Sequence, residues 1–178
     1  YTAEGRFILH AGSQGVHRLK GNAAVVFSCD PSTIRVLTRD TGGGFGPRSH
    51  LYPEYVLAMW AARKLGRPVK WNSDRSEAFL SDYQARDVTI KAALALDASG
   101  KFLALRETIY SNVGGNCVSY VPAANGSRIA TTVYKTPALD MHAIGILSNT
   151  LPSVNYRGAG RPQAMLVMER LVDLAAEK

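Results

Sequence analysis

Cysteine is scarce in this chain: Cys29 and Cys117 are the two it has, and they lie too far apart in sequence to form a ligand pair. Reduced, buried thiols are the expectation, with a single bridge between the two left open. Long apolar runs are missing as well, and so is a secretory signal pattern at the start. No membrane span is expected, and a cytoplasmic location is. Lys and Arg outnumber Asp and Glu by 21 to 14, a formal charge of +7, yet no five or six basic residues stand together. Without a zinc or RNA-binding signature, that excess indicates a modest anion preference and no nucleic-acid partner.

The familiar motifs for phosphate and acyl chemistry are absent too. There is no G-x-S-x-G, no GxGxxG fingerprint, and no phosphate loop ending in a Lys-Ser/Thr pair. A strand–turn–helix change separates His10 from His17, and no third ligand lies at a useful spacing, so no metal site is expected there. Neither a histidine pair nor a carboxylate isolated in an apolar frame offers itself as a general base. As an enzyme, the chain reads as incomplete.

An apolar fraction of 46% over 178 residues is enough for one sizeable core or two small ones. The start at Tyr1 without an initiator methionine, and a helical pattern still running at Lys178, suggest a fragment. The patterning indicates an α+β fold with mixed sheets and packed helices, not a doubly wound domain, with a possible sub-boundary near 80–86. Strands are expected at Arg6–Ala11, Thr33–Thr38, Val69–Trp71 and Ala138–Leu147. A hairpin is expected from Arg86–Asp97 and Lys101–Tyr110, joined by Asp97-Ala-Ser-Gly100. Helices are expected over Val16–Phe27, over 53–64 and over 162–176, with one or two turns after Asp74. Met59 and Ala62 would turn inward in the second of these, and Met165, Leu166, Met168 and Val172 in the last. The stretch Ser111–Ser127 reads as irregular.

Two glycine-rich segments remain. Asp40-Thr-Gly-Gly-Gly-Phe-Gly-Pro-Arg-Ser-His50 follows a strand and precedes a helix opened by Pro53. Asn155-Tyr-Arg-Gly-Ala-Gly-Arg-Pro162 opens the last helix. So many glycines are unfavourable unless the backbone must bend tightly or approach something closely. Such loops can cradle a ligand on main-chain N–H groups, or they can be structural turns. Arg157 and Arg161 would clamp an anion or a carbonyl oxygen, or pair with a surface carboxylate. Gln14, between glycines, reads as an exposed turn residue on local pattern alone.

Five stretches carry a resemblance: Val36–Gly46, Tyr52–Glu54, Lys64–Trp71, Asp74–Phe79 and Tyr156–Pro162. Together, and in order over essentially all 178 residues, they resemble the large subunit of the xanthine dehydrogenase/aldehyde oxidase family, in its carbon monoxide dehydrogenase-like branch. The resemblance implies a partial molybdopterin-binding region, residues 1–178, of a longer molybdenum hydroxylase subunit. It implies molybdopterin, as the cytosine dinucleotide, carrying molybdenum in the full-length protein. FAD and 2Fe–2S clusters would lie on partner subunits, and nothing is expected bound to the fragment itself. The substrate would be an aldehyde or N-heterocycle, hydroxylated by water. Gln14 matches a glutamine whose amide bonds an oxo ligand of the metal. Gly43, Gly44, Phe45 and Gly46 match main chain lying against the cofactor, and Arg157 matches a substrate-orienting arginine.

Three departures stand out. Pro47-Arg48 replaces the family's usual Gly-Lys, and Ser49 and His50 stand where purine oxidisers place a glutamate. Gly158 stands where copper–molybdenum carbon monoxide dehydrogenases carry cysteine. By the resemblance, the family's glutamate base lies beyond residue 178. The contrasting expectation is a non-catalytic assembly or anion-binding module in which the same loops only shape an interface.

Overall fold

Unit 1, Tyr1–Phe79, is built on a pair of parallel strands, which cannot be joined by a tight turn and need a crossover. Strands β1 (Phe7–His10) and β2 (Ile34–Leu37) pair in register from Phe7–Ile34 to His10–Leu37, and helix α1 (Val16–Phe27) supplies the crossover. All residues 1–178 are described in this computed structural model. Alternation in β1 sends Phe7 and Leu9 inward, and the helical period in α1 brings Leu19 and Ala23 to the same side. With Ala24, Ile34 and Met59 they make the core, against which Phe27, Val36 and Tyr55 pack. Met59 and Ala62 come from helix α2 (Pro53–Leu65), opened by proline and closed by left-handed Gly66. Glu54 in the first turn and Arg63 and Lys64 in the last suit the helix dipole. Short helix α3 (Arg75–Ser81) carries the boundary between the units, and Asp74 Oδ1 caps it by accepting from the Glu77 N–H at 2.7 Å.

Unit 2, Leu80–Lys178, is a three-stranded mixed sheet with two helices. Strands β3 (Val88–Leu96) and β4 (Phe102–Gly114) form the expected antiparallel hairpin. Its turn is held by Asp97 Oδ1, which accepts from the Ser99 N–H, the Ser99 hydroxyl and the Lys101 N–H at 2.9, 2.6 and 3.0 Å. Strand β5 (Ala138–Leu147) pairs parallel to β4, with Arg106 of β4 reaching Asp140 at 2.9 Å. Helix α4 (Val121–Arg128) lies in the crossover between them. Helix α5 (Arg161–Ala176) packs Met168 on Leu105 and Ala130, with Leu171 and Val172 alongside.

Four local expectations give way. Val69–Trp71 forms no strand: the run is short, follows Pro68 and finds no partner, and both Val69 and Trp71 are exposed. Ser111–Ser127 is more regular than its glycines suggest, since β4 runs on to Gly114 and α4 starts at Val121. In α5 the buried stripe is Ala164, Met168, Leu171 and Val172, at helical spacing, whereas Leu166 is 70% exposed and Met165 also faces out. Both cysteines are free thiols, as expected, but Cys117 is exposed.

Candidate cofactor-binding site

Because β1 and β2 are parallel neighbours, the segments leaving them emerge at the same end of the pair. That is the end at which open α/β sheets hold ligands. The segment after β1 carries Gln14, and the segment after β2 carries the first glycine loop. They are laced together: Ala11 N–H donates to Leu37 O at 3.1 Å, the Thr38 hydroxyl to Ala11 O at 2.6 Å, and Gln14 N–H to Arg48 O at 3.2 Å. The Ser13 side chain, almost fully buried, accepts from Gly15 N–H at 3.0 Å, which fixes the turn into α1.

Within this weave Gln14 is exposed, yet it is not idle. Its Oε1 accepts from Gly46 N–H at 2.8 Å. The oxygen end of the amide is therefore committed to the glycine loop, and the nitrogen end is left to donate. The loop leaves no room for side chains where it meets these groups. A Cβ on Gly44 would come within 2.5 Å of Gln14 Oε1, and one on Gly43 within 2.3 Å of the Phe45 ring. Gly43 and Gly46 have φ of +114° and +113°, and Phe45 itself is left-handed at +51°. A bulky aromatic held there carries strain of roughly 1–3 kcal/mol, the kind of feature that clusters at ligand clamps. Phe45 remains half exposed. Pro47–Ser49 then forms a 3₁₀ turn, with the Ser49 hydroxyl donating to Gly46 O at 2.7 Å, before α2 begins. Structure thus brings Gln14, Gly43, Gly44, Phe45 and Gly46 together in one patch of unit 1.

Arg157 belongs to unit 2. It is exposed, on a turn shaped by Gly158 and Gly160, both left-handed, with Ala159 N–H returning to Tyr156 O at 2.6 Å. The turn is pinned by its own glycine: a Cβ on Gly160 would stand 2.0 Å from Pro122 O of α4. The Arg86 guanidinium fastens it from another side, donating to Arg157 O and lying over the Tyr156 ring. Arg161 is engaged by its own turn. Its Nη1 folds back and donates to Gly158 O at 3.3 Å.

One group that sequence reasoning passed over is Glu107. It sits in the middle of β4, between Leu105 and Ile109 on the inward face, and is 1% exposed. This is the isolated carboxylate in an apolar frame that the sequence was expected to lack. The alternation Leu105, Glu107, Ile109 is the signal that would have found it. Burial pushes its carboxyl above the ordinary glutamate range.

No set of three His, Cys, Asp or Glu side chains is arranged to grip a metal ion. What the unit 1 patch presents instead is approachable main chain and an oriented amide, which suits a group bound through its organic part. Against known proteins, the profile of the molybdopterin cofactor-binding domain family matches residues 1–178. The chain belongs to that family. Among the relatives of this chain is the 6-hydroxypseudooxynicotine dehydrogenase complex subunit gamma of Paenarthrobacter nicotinovorans, 34% identical over 92% of this chain and 21% of the relative. Another is the carbon monoxide dehydrogenase large chain of Hydrogenophaga pseudoflava, 32% identical over 98% of this chain and 22% of the relative. The crystal structure of quinoline 2-oxidoreductase from Pseudomonas putida 86 superposes with a TM-score of 0.89. It is 33% identical, over 96% of this chain and 22% of that one. The mixed α+β architecture is the molybdopterin-binding fold of these homologues. The chain spans about a fifth of the length of the curated relatives it matches.

Proposed function

We propose that this chain forms part of the cofactor-binding region of a molybdenum hydroxylase large subunit that oxidises an aldehyde or N-heterocycle with water as the source of oxygen. The observation that supports the reading is the commitment of Gln14 Oε1 to Gly46 N–H, which leaves the amide nitrogen as the end available to donate. Gln14 would donate from Nε2 to an oxygen of the cofactor's metal centre. Gly43, Gly44 and Gly46 would give the cofactor close access to main chain, and the half-exposed Phe45 ring would lie against it. When bound, the cofactor supplies the two-electron oxidation that accompanies hydroxyl transfer to carbon. Arg157 would donate to the substrate heteroatom, a carbonyl oxygen or a ring nitrogen, that gains negative charge as that transfer proceeds. Names of relatives such as nicotine 6-hydroxylase and quinoline 2-oxidoreductase support an N-heterocycle. Gly158, in place of a copper-holding cysteine, argues against carbon monoxide as substrate. Electrons would leave through 2Fe–2S and FAD partner subunits, and the cofactor would be the cytosine dinucleotide form.

The test is metal and pterin analysis of the intact subunit co-produced with those partners. The expected result is close to one molybdenum and one pterin per large subunit, lost together on Gln14→Ala combined with Gly44→Val. Absence of both from a well-matured assembly would favour the non-catalytic assembly or anion-binding module. The isolated 178-residue chain is expected to hold no molybdenum tightly and to be catalytically silent.

A further inference from the structure

Behind the turn that carries Arg157, unit 2 contains a small cavity with about 20 Å³ of space open to the centre of a water molecule. Most of its wall is apolar, from Val88 and Ile90 of β3, Ile109 of β4 and Ala123 of α4. Besides Arg86, Asp87 and Ser111, three polar side chains line it, each from a different part of the fold: Glu107 on β4, Ser153 in the segment that bridges to Gln84, and Gln163 in the first turn of α5. All three bring buried oxygens with no hydrogen-bond partner: both carboxyl oxygens of Glu107, Ser153 Oγ and Gln163 Oε1. Glu107 and Ser153 are 1% and 5% exposed. Leaving such atoms unpaired costs on the order of 1–3 kcal/mol each, so four in one cavity point to a guest that pairs with them.

We propose that this cavity is a binding site for one water molecule, held by Glu107 as a neutral carboxylic acid together with Ser153 and Gln163. The space fits a single water, which needs roughly 10–15 Å³ on this measure and two to four polar partners. The hydrogen-bond inventory then closes. The Glu107 O–H and the Ser153 hydroxyl donate to the water, and the water donates to Gln163 Oε1 and to the Glu107 carbonyl oxygen. A monovalent cation is the rival guest for an oxygen-only donor set. It would need an ionised Glu107 in a mostly apolar wall, and Arg86, which lines the same cavity, opposes it. Besides Glu107, the charged groups at the cavity are Arg86 and Asp87, just before β3; α4 and α5 contribute none. Burial also raises the Glu107 carboxyl toward the neutral form. The water would tie β4, the Ser153 segment and the first turn of α5 to one another, directly behind Gly160.

Atomic-resolution crystal structures of the intact protein, native and soaked in rubidium chloride, test this. The expected result is one density peak within hydrogen-bond distance of Glu107, Ser153 and Gln163, no rubidium anomalous signal there, and unequal C–O bonds in Glu107. A rubidium peak overturns the proposal, as does an empty cavity or a Glu107 carboxyl paired directly with a neighbouring side chain. Glu107→Val is expected to abolish the peak and Glu107→Gln to retain it. Because the folded protein would hold a proton that the unfolded chain releases, wild-type stability relative to Glu107→Gln should fall as pH rises above the ordinary glutamate range. A difference that is flat, or that rises with pH, would overturn the neutral state.

Discussion

At the scale of single residues, the arginine turn and the glycine loop make opposite demands. On the proposed function Arg157 has to be presented, and its surroundings are fixed: its carbonyl by Arg86, its flanks by Gly158 and Gly160. Replacing Arg157 by Ala in the intact enzyme should lower kcat/KM by roughly two orders of magnitude or more, normalised to bound molybdenum, as for the loss of one well-aimed donor. Arg157→Lys should recover only part, because a point charge cannot reproduce a planar fork. Normalised rates near wild type would make the residue structural. The glycines are governed by sterics. Gly160→Ala drives a Cβ into Pro122 O and strains a left-handed backbone, so the intact protein should lose about 2 kcal/mol or more, read as a lowered unfolding midpoint. Gly42→Ala, at a left-handed site where a Cβ meets nothing, should lose less.

At the scale of elements, the legible parts were those with strong periodicity or explicit punctuation. Alternation from Val88 to Leu96 and the Asp97–Gly100 turn defined the hairpin, and Pro53 with Gly66 bounded α2. The failures share a cause, since each depended on partners that sequence does not display. Val69–Trp71 has strand composition but no neighbour, α4 lies against the backbone of the distant Gly160, and Leu166 has the composition of a core residue on the outward side of α5. The site was legible to a similar extent. Glycine density located the loop, whereas the Gln14–Gly46 hydrogen bond joins residues far apart in sequence and needed the parallel strand pair to appear. At the hairpin, hydrogen bonds from Ser99 hold the Asp97 carboxyl below its ordinary range. That contribution is present above the usual aspartate range and fades as pH falls through the lowered value. Asp97→Ala should therefore speed hydrogen exchange at the Ser99 and Lys101 amides at neutral pH, and the difference from wild type should shrink in acid.

At the scale of the whole molecule, the two units hold different kinds of sheet. In unit 1 the strands are parallel and joined by a helix, and in unit 2 one pairing is a local hairpin while the other spans a crossover. Strand β5 is exposed along nearly its whole length, with Leu139, Ile144, Ile146 and Leu147 each more than two-fifths exposed. The same topology sets an order of assembly during synthesis. The β3–β4 hairpin closes over a five-residue connection and can form in microseconds, as soon as β4 has been made. Strand β5 must wait for the α4 crossover, and the Leu105–Met168 contact waits until α5 has been made. A growing chain would therefore carry a two-stranded intermediate with one side of β4 unpaired. Pulse-labelling during refolding should show hairpin amides protected in a faster phase than those of β5, and simultaneous protection would mean that the sheet forms as one cooperative unit.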